Sequence, residues 1–207
     1  MQKELEMDVK QTMSEILRQE SEAVRNIPIT DGYEKAVQII VDRVHHNGGK
    51  LVVSGIGKCG QIANNIATTF SSTGTPSIFL HPGEAQHGDL GVLQPDDVML
   101  LLSNSGITTE IVDLVTLAKE LYGEVPIIVI TGHPESKLAQ MADVCLHTGG
   151  APEVCPLGLT PTTSTTMMTV MGDVLVVCTM KATGFTREDY AKRHHGGYLG
   201  MKSRMGR

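Results

Sequence analysis

A short polar segment, SNSGITTE (residues 103–110), carries side chains suited to holding a phosphate. It directly follows an apolar run typical of a β-strand, and a helix is expected to begin within it. Helix N-termini and nearby hydroxyls bind anions, and Gly106 lets the backbone approach a ligand closely. Ser and Thr also favour ordinary helix caps, so the segment alone leaves that alternative open. The predicted phosphate-binding residues are Ser103, Asn104, Ser105 and Thr108.

A second Gly-rich turn, GIGKCG (residues 55–60), follows the first predicted strand. Its spacing fits neither a Walker A loop nor a dinucleotide-binding fingerprint. It does hold Lys58 at the sheet edge where the SNSG turn is expected. A lysine there can pair with a phosphate or polarise a sugar oxygen, although an exposed turn lysine is the simpler interpretation of this motif alone.

The segment HPGEAQHGDLG (residues 81–91) concentrates two histidines and two carboxylates, His81, Glu84, His87 and Asp89. Histidine and carboxylate side chains suit zinc, but the spacing is not that of an HExxH motif. A hydrogen-bonded loop is therefore favoured, and no metal is expected to be required. An inhibitory metal bound at His87 stays open.

Candidate proton-transfer groups occur near the end of the chain. Glu153 lies between Pro152 and Pro156, where a constrained carboxylate can act as a general base, or simply face solvent. His194 and His195 precede a pair of glycines. Histidine titrates near neutrality and suits a proton relay, although a surface pair is the alternative.

The pattern of apolar residues predicts the fold that positions these segments. Short apolar runs alternate with helical patterns, which predicts a parallel sheet covered on both faces. Right-handed crossovers place every post-strand loop at one sheet edge, where such folds bind ligands. The five predicted strands are residues 51–55, 77–80, 98–103, 126–130 and 143–147.

Helical spacing covers residues 3–26, starting at Leu5, and residues 33–46, where Asp31 and Glu34 resemble a capping box. Pro161 is expected in the first turn of a long helix. The later predicted helices are residues 60–71, 108–121, 162–183 and 186–192. We expect a single domain over residues 1–207, with N-terminal helices (1–47), a sheet core (50–183) and a C-terminal tail (184–207).

Composition excludes several classes of protein. A net charge of −6 and 3% aromatic residues argue against nucleic-acid binding. Four irregularly spaced cysteines indicate neither a zinc knuckle nor a disulfide scaffold. The stretch Met167–Met180 is interrupted by Gly172 and Asp173 and is too short to cross a bilayer. Without a signal-peptide core, the chain is expected to be cytoplasmic, with no nucleic-acid or membrane partner.

Taken in order, GIGKCG, HPGEAQHGDLG, SNSGITTEI, ITGHPES and CPLGLTPTTSTT resemble the sugar isomerase (SIS) domain of the arabinose-5-phosphate isomerase family over residues 31–201. The resemblance implies a three-layer α-β-α sandwich around a five-stranded parallel sheet. It implies interconversion of ribulose 5-phosphate and arabinose 5-phosphate without a cofactor, supplying Kdo for lipopolysaccharide or capsule. It also implies a dimer or tetramer with sites at subunit contacts, of which we expect a homotetramer. The implied active-site positions are Lys58, His87, Glu110, Glu153 and His194.

Three departures from that family stand out. Many relatives continue into paired CBS domains, whereas this sequence ends at Arg207. Ile107 occupies a position that is often Glu, and HHGG replaces the usual HPGG, so either His194 or His195 could face the substrate. Alternatives are another SIS-type sugar-phosphate isomerase, a non-catalytic sugar-phosphate sensor, or a metal-dependent enzyme. The first 30 residues are too few for the DNA-binding module that a sensor would need.

Overall fold

The computed structural model describes residues 8–205. Within them, one five-stranded parallel sheet has the strand order β2-β1-β3-β4-β5. The three central strands β1, β3 and β4 are buried along their whole length, as expected for strands covered on both faces. The predicted parallel sheet is therefore confirmed. The strands are β1 (Leu51–Gly55), β2 (Ser77–Phe79), β3 (Val98–Leu102), β4 (Ile127–Thr131) and β5 (Val144–His147).

Helices connect and cover the strands. A π-helical turn (Val41–His46) extends α2, and a 3₁₀ turn (Asp89–Val92) precedes β3. The α-helices are α1 (Val9–Arg25), α2 (Gly32–Ile40), α3 (Gly57–Ser72), α4 (Pro82–Ala85), α5 (Thr109–Leu121), α6 (Lys137–Met141), α7 (Thr163–Ala182), α8 (Arg187–Arg193) and α9 (Gly197–Arg204).

Two hydrophobic cores lie on opposite faces of the sheet. Alternate strand residues such as Val53 and Leu100 pack with Phe70 of α3 and with residues of α2 and α7. The intervening residues, such as Leu101, pack with Leu114 of α5 and with α4 and α6. Successive strand side chains point to opposite faces, so this division produces the predicted three-layer sandwich.

The long helix α7 lies across the first face, against α1, α2 and α3. Gly172 allows close contact with α3, since a Cβ built there would be 2.5 Å from the Ile66 side chain. By length and composition α7 is the one helix of the described residues that could cross a membrane, and half of its apolar window is buried in the protein. That burial fits a packed central helix.

Several predicted details are wrong. Asp31 makes no capping hydrogen bond from its side chain, so the capping box is absent at α2. α3 begins at Gly57 rather than Gly60, and α7 begins at Thr163, which leaves Pro161 outside the helix. The C-terminal segment contains an additional helix, α9, which the Gly196–Gly197 pair concealed in the sequence. Leu5 lies outside the described residues.

Candidate active site

The SNSG turn joins β3 to α5 and is tightly folded. The buried hydroxyl of Ser103 accepts a hydrogen bond from the Gly106 N–H (3.2 Å) and lies 3.0 Å from the Thr108 hydroxyl. Thr108 precedes the first residue of α5, but its side chain does not cap the helix. The ordinary-cap alternative therefore does not describe Thr108. Ser105 is exposed, and its hydroxyl accepts a 3.4 Å hydrogen bond from the Ile107 N–H.

Gly106 is required by the shape of this turn. Its φ of +64° lies in the left-handed region that favours glycine. A Cβ built there would also lie 1.9 Å from the Ser136 hydroxyl oxygen. The turn therefore holds hydroxyls and backbone N–H groups together at the carboxyl edge of the sheet, beside the start of a 13-residue helix. Such an arrangement suits a phosphate dianion.

Lys58 lies in the first turn of α3, directly after β1. Gly55 and Gly60 make this turn possible, because a Cβ on Gly60 would be 2.8 Å from the Gly55 carbonyl oxygen. The side chain of Lys58 is exposed, and within residues 8–205 the structure records no hydrogen bond or ion pair for it. Its ammonium group is therefore available to a ligand at this edge.

Cys59 connects the Lys58 turn to the SNSG turn. Its thiol lies 3.8 Å from the sulfur of Met168 in α7, and it contacts the backbone of Asn104. Burial raises the thiol pKa, and the negative charge of Glu153 raises it further, so that carboxylate lies within electrostatic range of Cys59. The Lys58 turn, the SNSG turn and Glu153 therefore converge on one region.

Glu153 is fixed at the N-terminus of α7. Its Oε2 accepts hydrogen bonds from the Thr162 N–H (2.7 Å), the Thr162 hydroxyl (2.9 Å) and the Ser164 N–H (3.2 Å). Burial by itself would raise the pKa of Glu153, but the hydrogen bonds from Ser164 and Thr162 together outweigh it, and the pKa falls below its ordinary value. Glu153 is therefore held as a carboxylate at neutral pH.

The loop between Glu153 and α7 folds back on itself around Cys155. The Thr160 hydroxyl, the Thr160 amide and the amides of Leu157 and Leu159 lower the pKa of Cys155 to about 6. The Gly158 N–H also donates to the Cys155 carbonyl oxygen (2.8 Å). The lowered pKa of Cys155 therefore depends on the folded conformation of this loop, two residues from Glu153.

Glu110 and His87 lie near the same sheet edge with few contacts. Glu110 is half-buried in the first turn of α5. His87 is exposed in the turn after α4, where its backbone N–H donates to the Glu84 carbonyl oxygen (2.9 Å). Within the described part of the chain, no recorded hydrogen bond or ion pair links either side chain to Lys58 or Glu153.

His194 lies at the other end of the molecule. α7 has 20 residues, so its ends are separated by about 30 Å. Beyond it, Phe185 packs on Gly74, after the end of α3, and Arg193 lies 5.4 Å from the Phe185 ring centroid. His194 follows directly, so it is remote from Glu153 of the same chain.

The two adjacent histidines are in different environments. The His194 ring stacks on Tyr190 with 3.7 Å between centroids, and its Nδ1 lies 3.0 Å from the Tyr190 carbonyl oxygen. This geometry leaves Nε2 of His194 for other partners. His195 is exposed. The structure therefore fixes the orientation of His194.

The metal alternative has no cluster to support it within residues 8–205. No three His, Cys, Asp or Glu side chains there are grouped so that they could hold a metal ion. In the HPGEAQHGDLG segment, His81 instead accepts a 3.2 Å hydrogen bond from the Gly83 N–H through Nδ1. The segment is hydrogen-bonded locally, as the spacing favoured, but it forms the short helix α4 and a 3₁₀ turn where a loop was expected.

The sequence did not reveal the residues that position the predicted active-site groups. Thr162 and Ser164 fix Glu153, and Cys59 joins three segments. The TTSTT run after Pro161 is the signal for the first pair, because it marks a hydroxyl-rich helix start. Nothing in the local sequence of Cys59 indicates its contacts.

The profile of the SIS domain family matches residues 46–178, across most of the sheet and its helices. This chain belongs to the SIS domain family.

Similar proteins share more than the SIS domain. The arabinose 5-phosphate isomerase KdsD of Escherichia coli K12 is 56% identical over 154 residues, which are 74% of this chain and 46% of that protein. The chain thus spans about half the length of the curated relatives it matches.

Two solved structures are close in fold. A candidate phosphosugar isomerase of Bacteroides fragilis, described as involved in capsule formation, is 63% identical with a TM-score of 0.91, covering 92% of this SIS chain and 100% of its own. The c3406 protein of E. coli CFT073, solved in complex with arabinose 5-phosphate, is 33% identical with a TM-score of 0.84, covering 91% and 100%.

Proposed function

We propose that this SIS domain chain is an aldose–ketose isomerase that interconverts D-ribulose 5-phosphate and D-arabinose 5-phosphate. The observation that carries the proposal is a carboxylate, Glu153, held ionised by hydrogen bonds at the start of α7. The same helix contacts Cys59, which follows Lys58 and meets the SNSG turn at Asn104. The names of the KdsD relative and of the arabinose 5-phosphate complex support the choice of substrate.

In the proposed reaction, the SNSG turn binds the phosphate through the hydroxyl of Ser105, the Asn104 amide and backbone N–H groups. Ser103 and Thr108 hold the turn in shape through their shared hydrogen bond. The phosphate then fixes the distance from the sugar carbons to Glu153. Orienting the substrate in this way removes part of the entropic cost of reaching the transition state.

Proton transfer between C1 and C2 is assigned to Glu153. Since three hydrogen bonds fall on Oε2, the oxygen that takes the proton is Oε1. A carboxylate with a lowered pKa is a weak base, so the substrate carbonyl must be activated. Lys58 supplies that activation by stabilising the enediolate oxygen as it becomes negative. Glu110 would position the sugar hydroxyls.

The hydrogens and electrons balance without a redox partner. The C–H bond at one carbon breaks, an enediol forms, and the proton is returned to the neighbouring carbon while the carbonyl moves. A histidine would relay the proton between the two oxygens or open the cyclic sugar. This is the role we assign to His194, with His87 as a second candidate near the sheet edge.

His194 reaches the site, in this proposal, from a second copy of the chain. The separation of about 30 Å along α7 argues against a site completed within one subunit. α1 offers apolar surface for association, because Val9, Met13 and Leu17 are each more than half exposed. We propose a homotetramer with D₂ symmetry and sites at subunit contacts. We also propose that it acts in the cytoplasm and supplies Kdo for lipopolysaccharide or capsule.

The test is direct. Purified protein is incubated with ribulose 5-phosphate, and arabinose 5-phosphate is followed by NMR. We expect its signals to grow to equilibrium, and to do so in EDTA. Hexulose and heptose phosphates are tested in parallel. Conversion of one of them in place of ribulose 5-phosphate would indicate another sugar-phosphate isomerase of the SIS type. Binding of phosphosugars with no interconversion would indicate a sensor and contradict the proposal.

A further inference from the structure

Thr131, the last residue of β4, bridges two loops with its hydroxyl. The side chain is fully buried. Its Oγ1 donates to the Asn104 carbonyl oxygen (3.1 Å) and accepts from the His133 N–H (3.2 Å). One buried hydroxyl therefore links the SNSG turn to the loop between β4 and α6 through hydrogen bonds to both.

Other contacts run between the same two loops. The Gly132 N–H also donates to the Asn104 carbonyl oxygen (3.0 Å), and the Leu138 N–H donates to the Gly106 carbonyl oxygen (3.0 Å). The Asn104 side chain lies so close to Gly132 that a Cβ there would be 2.6 Å from its Oδ1. The conformation of the SNSG turn is thus set by the loop after β4 as well as by its own Ser103 hydrogen bonds.

We propose that Thr131 is a positioning residue that sets the affinity of the SNSG turn for phosphate. The inference rests on the assignment of that turn as the phosphate site in the proposed function. Thr131 does not touch the ligand. It fixes the Asn104 peptide, and with it the direction of the N–H groups and side chains that follow. Without the hydroxyl, the Asn104 carbonyl loses one of its two donors and the His133 N–H loses its acceptor.

Thr131→Val tests this with little change in side-chain volume. Binding of inorganic phosphate is measured by titration calorimetry, and KM and kcat are measured with ribulose 5-phosphate. We expect both the phosphate Kd and KM to rise about three- to tenfold, the size of a lost buried hydrogen bond. kcat should change by less than about twofold, because the reacting groups are untouched.

Two further variants separate positioning from simple destabilisation. Thr131→Ser keeps the hydroxyl and should restore the phosphate Kd to within about twofold of wild type. Thr179→Val is the matched control, since Thr179 is a similarly buried threonine of α7 whose hydroxyl has no partner within the described residues. It should leave phosphate binding and KM unchanged.

The inference is overturned if Thr131→Val lowers the melting temperature but leaves the phosphate Kd unchanged. It is also overturned if Thr131→Ser binds phosphate as poorly as Thr131→Val, or if the wild type binds no phosphate. Phosphate binding needs no turnover. A wild type that binds phosphate but does not isomerise ribulose 5-phosphate therefore sinks the proposed function alone.

Discussion

The two ends of α7 carry different parts of the proposed site. At the first end, Glu153 is hydrogen-bonded to the start of α7, and Cys59 contacts both Met168 of α7 and the backbone of Asn104 in the SNSG turn. At the other end, beyond a helix about 30 Å long, His194 contacts Tyr190 of α8. In the proposed function, one chain therefore builds a preorganised half-site, and the remaining histidine comes from a different copy.

The largest effect is expected from Glu153→Gln at the first end. Glutamine can still accept hydrogen bonds from α7 but cannot take the proton. We expect kcat to fall by about 10²–10⁴-fold, with the melting temperature and phosphate binding nearly kept. Exchange of the C2 proton of arabinose 5-phosphate with solvent is the measurement. Exchange at the wild-type rate would show that Glu153 is not the base.

Lys58→Met at the same end should have the next largest effect. Methionine keeps much of the side-chain length but removes the charge that stabilises the enediolate. We expect a loss of roughly 10²–10³-fold in kcat, the range found when one oxyanion-stabilising group is removed. Lys50, which pairs with the buried Asp97 at 2.6 Å, provides the contrast. Lys50→Met should lower stability with little effect on kcat in the folded protein.

The Cys155 thiol reports whether the loop beside Glu153 is formed. With a pKa of about 6, its thiolate is the major form at pH 7, so alkylation by iodoacetamide should level off above that pH. Mass spectrometry of the Cys155 peptide gives the pH profile. Thr160→Val removes the largest stabilising hydrogen bond and should move the midpoint to higher pH. A midpoint near the ordinary thiol value in wild type would mean that the loop is not folded as described.

The smallest effect concerns pH. The folded pKa of Glu153 is depressed below its ordinary value, so its ionised form contributes stability above the ordinary carboxyl pKa, and that contribution is lost as pH falls through the folded value. Between about pH 8 and 5, Glu153 should cause no change in kcat/KM, because it stays ionised over that range. An acid limb near pH 5 that disappears in Glu153→Asp would contradict the depressed pKa.

The sheet was predictable from the sequence because its signals are local. Runs such as VMLLL are apolar throughout and bounded by turn residues, and each became a buried strand. The SNSG and GIGKCG turns follow strands, so topology alone places them at one edge. The capping box at Asp31 failed because Asp31 has helical backbone angles (φ −59°, ψ −11°) instead of the extended conformation of a capping residue, and its side chain makes no capping bond.

The contacts that complete the half-site were beyond a sequence pattern. Glu153 is nine residues from Thr162, and the hydrogen bond between them depends on the path of the intervening loop. Cys59 meets Met168 across 109 residues. The position of His194 depended on where α7 ends and how Phe185 packs on Gly74, which no motif encodes. These are tertiary contacts, whereas the motifs report only local preference.

Mixing two inactive variants tests the central claim, which is a site shared between copies. The Glu153→Gln and His194→Asn variants are refolded together in equal amounts. The controls are each variant refolded alone and an equal mixture of the Glu153→Gln and His195→Asn variants. If Glu153 and His194 come from different copies, about a quarter of the sites in the mixed oligomer carry both intact groups, and activity should return to about that fraction. If both come from one chain, every site carries a defect and the mixture stays as inactive as its components, which would contradict the account.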